Sequence, residues 1–347
     1  MFKEFFGLRE QPFGVTPDPR YLYLAPAHRE ALASLFYGIE SNRGFLALIA
    51  RPGMGKTTLL FHLLEKFRNR ARTAFLFQTQ CSSREFMRLL LAEVGLDSDG
   101  RDFVQMHEAF NRCLLQEARD GRRFIIVIDE AQNLDPPVLE TVRLLSDFET
   151  PRAKLLQIIL AGQPELAEKL AHPGLMQLRQ RITSFNGLKP FPAEQTARFI
   201  EHRLRVAGYE GASLFDTEAI NLISEISEGI PRNINNLCFH SLSLAFAMQQ
   251  KTVDAAIVQE VADDLDIRRL LTEESGQRYG LDMDYRQEWD GERSVPRGDG
   301  RPQLARSNSD ELLSPDEARA HMQEVTRFLK NWQGVSGPKA ARPTKRA

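Results

Sequence analysis

Residues 45–58 read Phe45-Leu46-Ala47-Leu48-Ile49-Ala50-Arg51-Pro52-Gly53-Met54-Gly55-Lys56-Thr57-Thr58. An apolar run of strand length meets a glycine-bearing turn. Leu59, Leu60, Leu63, Leu64 and Phe67 then follow at helical spacing. In that order, glycines let the backbone curl until its N–H groups point inward, and the helix N-terminus adds partial positive charge at the same point. Such a concavity suits phosphate. Ala50, Arg51, Pro52, Gly53, Met54, Gly55, Lys56, Thr57 and Thr58 are therefore read as a phosphate loop, with Lys56 aimed at β- and γ-phosphates and Thr57 offering its hydroxyl to Mg2+. Ala50 stands where such loops usually carry their first glycine. A glycine turn before an exposed lysine has a similar composition; the strand before and the helix after favour the phosphate reading.

Working outward, the pattern of apolar strands and amphipathic helices continues. Candidate strands are Phe45–Ala50, Thr73–Gln78, Phe124–Ile128, Leu155–Ala161 and a short one near Ile182–Leu188; candidate helices include Pro26–Ser41, Glu85–Val94 and Val104–Ala118. Strands alternating with helices predict an α/β fold with a parallel sheet covered on both faces. The third strand ends in Asp129-Glu130-Ala131-Gln132. A buried strand ending in two carboxylates downstream of a phosphate loop places Asp129 on the hydration shell of Mg2+, and Glu130 where it orients and polarises a water. The same pair also suits the first turn of a following helix.

After Phe191-Pro192 the strand signal stops. Helices are predicted over Ala193–Val206, Thr217–Ser227, Pro231–Gln249 and Ala255–Leu265, a small all-helical lid. From Leu271 onward, 77 residues hold only ten Leu, Val and Phe and no Ile, a composition too polar for a packed core. Within this tail Ser314-Pro315-Asp316-Glu317 has helix-start chemistry. Ala318, Met322, Val325, Leu329 and Trp332 continue it as an apolar stripe. The expected organisation is an N-terminal segment and helix packing on the core over 1–43, an α/β core over 44–190, a helical lid over 191–270, and a flexible tail over 271–347 with a docking helix near 314–332 for a protein client.

The whole chain has 347 residues, 42% hydrophobic and 27% charged, with 45 basic and 47 acidic side chains. That balance excludes a wholly disordered chain and a uniformly basic nucleic-acid binder. The run Lys66-Phe67-Arg68-Asn69-Arg70-Ala71-Arg72 is read as a solvated helix end, with a DNA-phosphate patch as the alternative. Three cysteines, Cys81, Cys113 and Cys238, fit no zinc or disulfide spacing, which suggests a reducing compartment. No apolar run approaches the ~18 residues that span a bilayer, and the N-terminus lacks a cleavable leader pattern. The expectation is a cytoplasmic protein without a membrane span.

These motifs with a helical domain resemble an AAA+ ATPase. The opening Phe6-Gly7-Leu8, Pro12-Phe13 and Thr16-Pro17-Asp18-Pro19-Arg20-Tyr21-Leu22-Tyr23-Leu24 narrows the resemblance. With Asp129-Glu130-Ala131-Gln132-Asn133-Leu134 and Leu160-Ala161-Gly162-Gln163-Pro164-Glu165-Leu166, it is similar to the ExeA/GspA-like family of secretion and pilus ATPases over about residues 1–267. The resemblance implies ATP and Mg2+ as ligands, a homo-oligomer, and a place beside the inner membrane reached through a partner. Members carry a transmembrane helix and a peptidoglycan-binding module after the ATPase, neither of which is read here. By position, it implies that Gln163 is a sensor near the γ-phosphate and that Gln78 couples partner binding to Glu130. It also places Arg179 or Arg181 as a finger into a neighbouring subunit and Arg232 as a sensor on the lid. A DNA-associated regulator of the TniB/TnsC type is the alternative reading, since such proteins have similar cores.

Overall fold

A computed structural model of the chain describes residues 2–265, apart from 78, 79, 151 and 152. Gln78 and the tail, with its helix near 314–332, lie outside the described residues.

The chain opens with α1 (Phe2–Phe6), a 3-10 turn at Pro19–Tyr21 and α2 (Pro26–Glu40). β1 (Phe45–Ile49) leads into α3 (Lys56–Phe67), β2 (Ala71–Leu76), α4 (Ser83–Glu93), α5 (Phe103–Arg119) and β3 (Arg123–Ile128). Next come α6 (Pro136–Leu145), a small antiparallel hairpin of β4 (Glu149–Thr150) and β5 (Ala153–Lys154), and β6 (Leu156–Gly162). α7 (Pro164–Ala171), α8 (Met176–Arg181) and β7 (Ile182–Gly187) complete the α/β part. α9 (Ala193–Val206), α10 (Thr217–Ile226), α11 (Pro231–Ala247) and α12 (Ala255–Asp264) follow.

β1, β2, β3, β6 and β7 form one parallel sheet in the order β2-β3-β6-β1-β7. Phe45, Ala47, Phe124, Ile126, Ile158 and Leu160 pack on one face with residues of α4 to α8. Leu46, Leu48, Ile125, Val127 and Ile159 are equally buried, because α2 and α3 cover the other face. Covering both faces makes the strands continuously apolar instead of alternating. The chain leaves β1 for the far edge at β2 and reaches its other side only at β7. Such a reversal opens a crevice over the carboxyl end of β1.

The second strand lies two residues earlier than its sequence pattern suggested. Ala71 and Arg72 pair with Arg123 and Phe124. A charged residue fits there because β2 is an edge strand and Arg72 reaches buried Glu117 at 2.9 Å. Arg70 pairs with Glu40 at 2.9 Å. Two arginines of the basic run are thus engaged within the fold.

A second apolar cluster fills the helical layer, with Phe199, Ile223, Leu237, Leu242 and Ile257 at its centre. Phe6, Leu8, Phe13 and Tyr21 join it, whereas α2 lies against β1 and β7. The opening segment therefore packs on the helices, and its Phe2–Phe6 turn is helical because it precedes the first proline. Arg203 pins this segment. Its buried guanidinium donates to Pro12 O at 2.6 Å and lies over the Tyr21 and Phe199 rings, and burial lowers it to about 10.

Burial also lowers His28, His62, His107 and His202 below the ordinary histidine value. Below about pH 6.5 the unfolded chain takes up protons that the folded chain resists, so stability falls as pH falls. Thermal unfolding at about pH 5.5 is expected several degrees below that at about pH 7.5. An unchanged melting temperature would contradict this account.

Candidate nucleotide site

The loop after β1 lies over the crevice. Gly53 and Gly55 have φ of +75° and +85°, a left-handed curl that residues with side chains rarely adopt. α3 begins directly at Lys56. The Lys56 ammonium is buried and donates to Ala50 O at 3.0 Å. Burial pushes its pKa down, while the nearby Glu130 and Asp129 carboxylates oppose that shift. Met54 is buried beneath the loop, and its carbonyl meets His28 Nε2 at 3.1 Å.

Thr57 Oγ1 donates to Asp129 Oδ2 at 2.7 Å. Asp129 is almost fully buried, and burial raises its pKa above the ordinary carboxylate value. A buried acid beside a hydroxyl is a hard-oxygen donor set, so these residues fit Mg2+. Glu130 follows with φ +51°, a left-handed turn in a non-glycine residue. That turn starts the short 3-10 helix Ala131–Asn133. Gln163, directly after β6, donates from Nε2 to Glu130 Oε2 at 3.1 Å. Gln132 donates to the same oxygen at 2.6 Å. Nothing in the spacing of Gln132 gives it a role; only the turn at Glu130 brings its amide back to the carboxylate.

The helical layer reaches the loop through the start of α11. Arg232 N–H donates to Gly53 O at 3.1 Å, and Arg51 lies 3.8 Å from Glu228. A Cβ on Gly53 would stand 2.8 Å from Arg232 Cβ, so only glycine permits this approach. Lys56, Thr57, Asp129, Glu130, Gln163 and Arg232 thus converge, whereas Arg179 and Arg181 do not. Ile182 pairs with Phe45, at the amino end of β1. The two arginines therefore sit about one strand length, roughly 16 Å, from the loop. Arg179 is exposed. Arg181 pairs with Asp147 and donates to Ser146 Oγ at 2.6 Å.

A loop over the carboxyl end of β1, facing an Asp-Glu pair on β3, coincides with a family match: residues 39–170 match the AAA domain. The chain carries an AAA domain. This AAA protein is 38% identical over 248 residues to General secretion pathway protein A of Aeromonas hydrophila, covering 71% of this chain and 45% of that one. It is 30% identical over 150 residues to an uncharacterized HTH-type transcriptional regulator of Methanocaldococcus jannaschii, covering 41% of this chain and 35% of that one. It spans less than half the length of these curated relatives. The solved ORC2 protein of Aeropyrum pernix superposes with a TM-score of 0.57 at 13% identity, covering 73% of this chain and 71% of that one. CDC6P of Pyrobaculum aerophilum gives 0.57 at 15%, covering 73% and 70%. These structures share the fold. Among the described residues of the AAA protein, no helix is long and apolar enough to cross a membrane.

Proposed function

We propose that this protein binds ATP with Mg2+ and hydrolyses it, and that hydrolysis drives assembly or remodelling of a secretion, pilus or exopolysaccharide-export system. The observation that carries the chemistry is the meeting of Lys56, Thr57, Asp129 and Glu130 at one crevice. Residues 50–58 wrap the phosphates. Lys56 turns from the Ala50 carbonyl to the β- and γ-phosphates, and Arg232 approaches from the helical side. Thr57 and Asp129 would hold the metal, which when bound would neutralise phosphate charge. Glu130 takes a proton from water as the water oxygen attacks the γ-phosphorus, and the bond to the bridging oxygen breaks with ADP as leaving group. The system-level reading rests on the identity to General secretion pathway protein A.

Arg179 acts on the site of an adjacent protomer in a homo-oligomer, because its own site lies at the other end of the strands. Arg181, held by Asp147, positions the short helix that carries Arg179. Phosphate release from Mg·ATP tests this. Turnover per protomer is expected to rise with protein concentration, and Arg179→Ala lowers it at least about tenfold with ATP binding kept. Mixing that variant with Lys56→Ala restores part of the rate, since complementary halves form intact sites. Absence of ATP turnover at every concentration, with ATP bound, overturns the hydrolytic reading; concentration-independent turnover overturns the shared site.

A further inference from the structure

The side chain of Gln132 is committed at both ends. Its Nε2 donates to Glu130 Oε2 at 2.6 Å, while its Oε1 accepts the backbone N–H of Gln163 at 3.1 Å. One amide therefore ties the acid that ends β3 to the residue that ends β6. The Gln163 side chain adds a second donor to the same oxygen at 3.1 Å. Among the described residues, Glu130 Oε1 receives no hydrogen bond, so the carboxylate is gripped by one oxygen and presents the other.

The surroundings are built to hold this amide. Lys169, on α7, donates to Gln132 O at 2.5 Å and to Leu134 O at 3.0 Å, pinning the main chain of the turn. Gly162 leaves room for the side chain: a Cβ there would stand 2.7 Å from Gln132 Oε1. The left-handed Glu130 backbone, a strained conformation for a residue with a side chain, is what folds Gln132 back. A glutamine serving only to satisfy the loop would not need two strand ends as partners.

We propose that Gln132 is a positioning residue for hydrolysis, its amide clamping the Glu130 carboxylate to the end of β6 and so fixing where the base meets the attacking water. This rests on Glu130 acting as the base. A misplacement of about 1 Å costs on the order of 10²-fold in rate, so a lost clamp is read in kcat and leaves KM alone.

The experiment measures kcat, KM for ATP and the pH profile of kcat for Gln132→Ala, Gln132→Glu and Glu130→Gln in the full chain, with binding of a fluorescent ATP analogue as the folding control. Gln132→Ala is expected to lower kcat about 10- to 100-fold with KM within about threefold. Gln132→Glu keeps the shape and the acceptor for Gln163 but sets a second carboxylate against Glu130. Like charge raises the proton affinity of the pair, so the acid limb of the profile should move up by about one pH unit or more. A merely structural amide would lower kcat and ATP binding together, whereas a lost clamp lowers kcat alone. The proposal is overturned if both Gln132 variants keep kcat within about twofold, or if both lose ATP binding. Should Glu130→Gln itself retain full turnover, the failure lies with the hydrolytic reading instead.

Discussion

Glu130→Gln is expected to slow phosphate release from Mg·ATP by about 10² or more, the scale for a positioned general base. ATP affinity should stay within about threefold, because the substitution keeps the side-chain shape and leaves Lys56 and Thr57 untouched. An amide cannot take the proton from water, yet its oxygen can still accept from Gln132 and Gln163. The loss should therefore fall on kcat. Single-turnover phosphate release beside equilibrium nucleotide binding separates the two effects. Full turnover in this variant would make Glu130 only the start of the turn at Ala131.

Lys56→Ala should weaken ATP binding by about 10² or more, the range for removing one partner of a buried, hydrogen-bonded charge pair. The ammonium is held in the loop by the Ala50 carbonyl and faces Glu130 and Asp129 across the crevice. No other side-chain cation belongs to the curled part of the loop, since Arg51 points to Glu228. ADP affinity should fall less, because the γ-phosphate contact is absent. Titration with a fluorescent ATP analogue, with far-UV circular dichroism as the fold control, measures it. Unchanged affinity would sink the phosphate-loop assignment.

The sheet and the loop were legible because their signals are local and strong. Four apolar runs and a glycine turn before Lys56 need no tertiary information, whereas the fifth strand, Ile182–Gly187, is mixed in polarity. β2 was misread by two residues, since the edge position that lets Arg72 sit in a strand is invisible until β3 is beside it. The short helices α7 and α8 are not legible: eight and six residues give too few turns for a periodic pattern. Within the site, Lys56, Thr57, Asp129 and Glu130 follow from spacing. Gln132 does not, because its role depends on a backbone twist at Glu130 and an empty place at Gly162. Arg179 and Arg181 look equivalent in sequence. The contacts of Arg181 with Ser146 and Asp147, more than 30 residues upstream, distinguish them.

The bond from Arg232 N–H to Gly53 O gives the molecule a lever. Gly53 is packed so closely against Ile230 and Arg232 that the loop cannot shift without carrying the first turn of α11 with it. α11 has 17 residues and is about 25 Å long, and along its length it packs on α12 and α1. Any displacement of the loop is therefore passed into α11 and on to the helices packed along it.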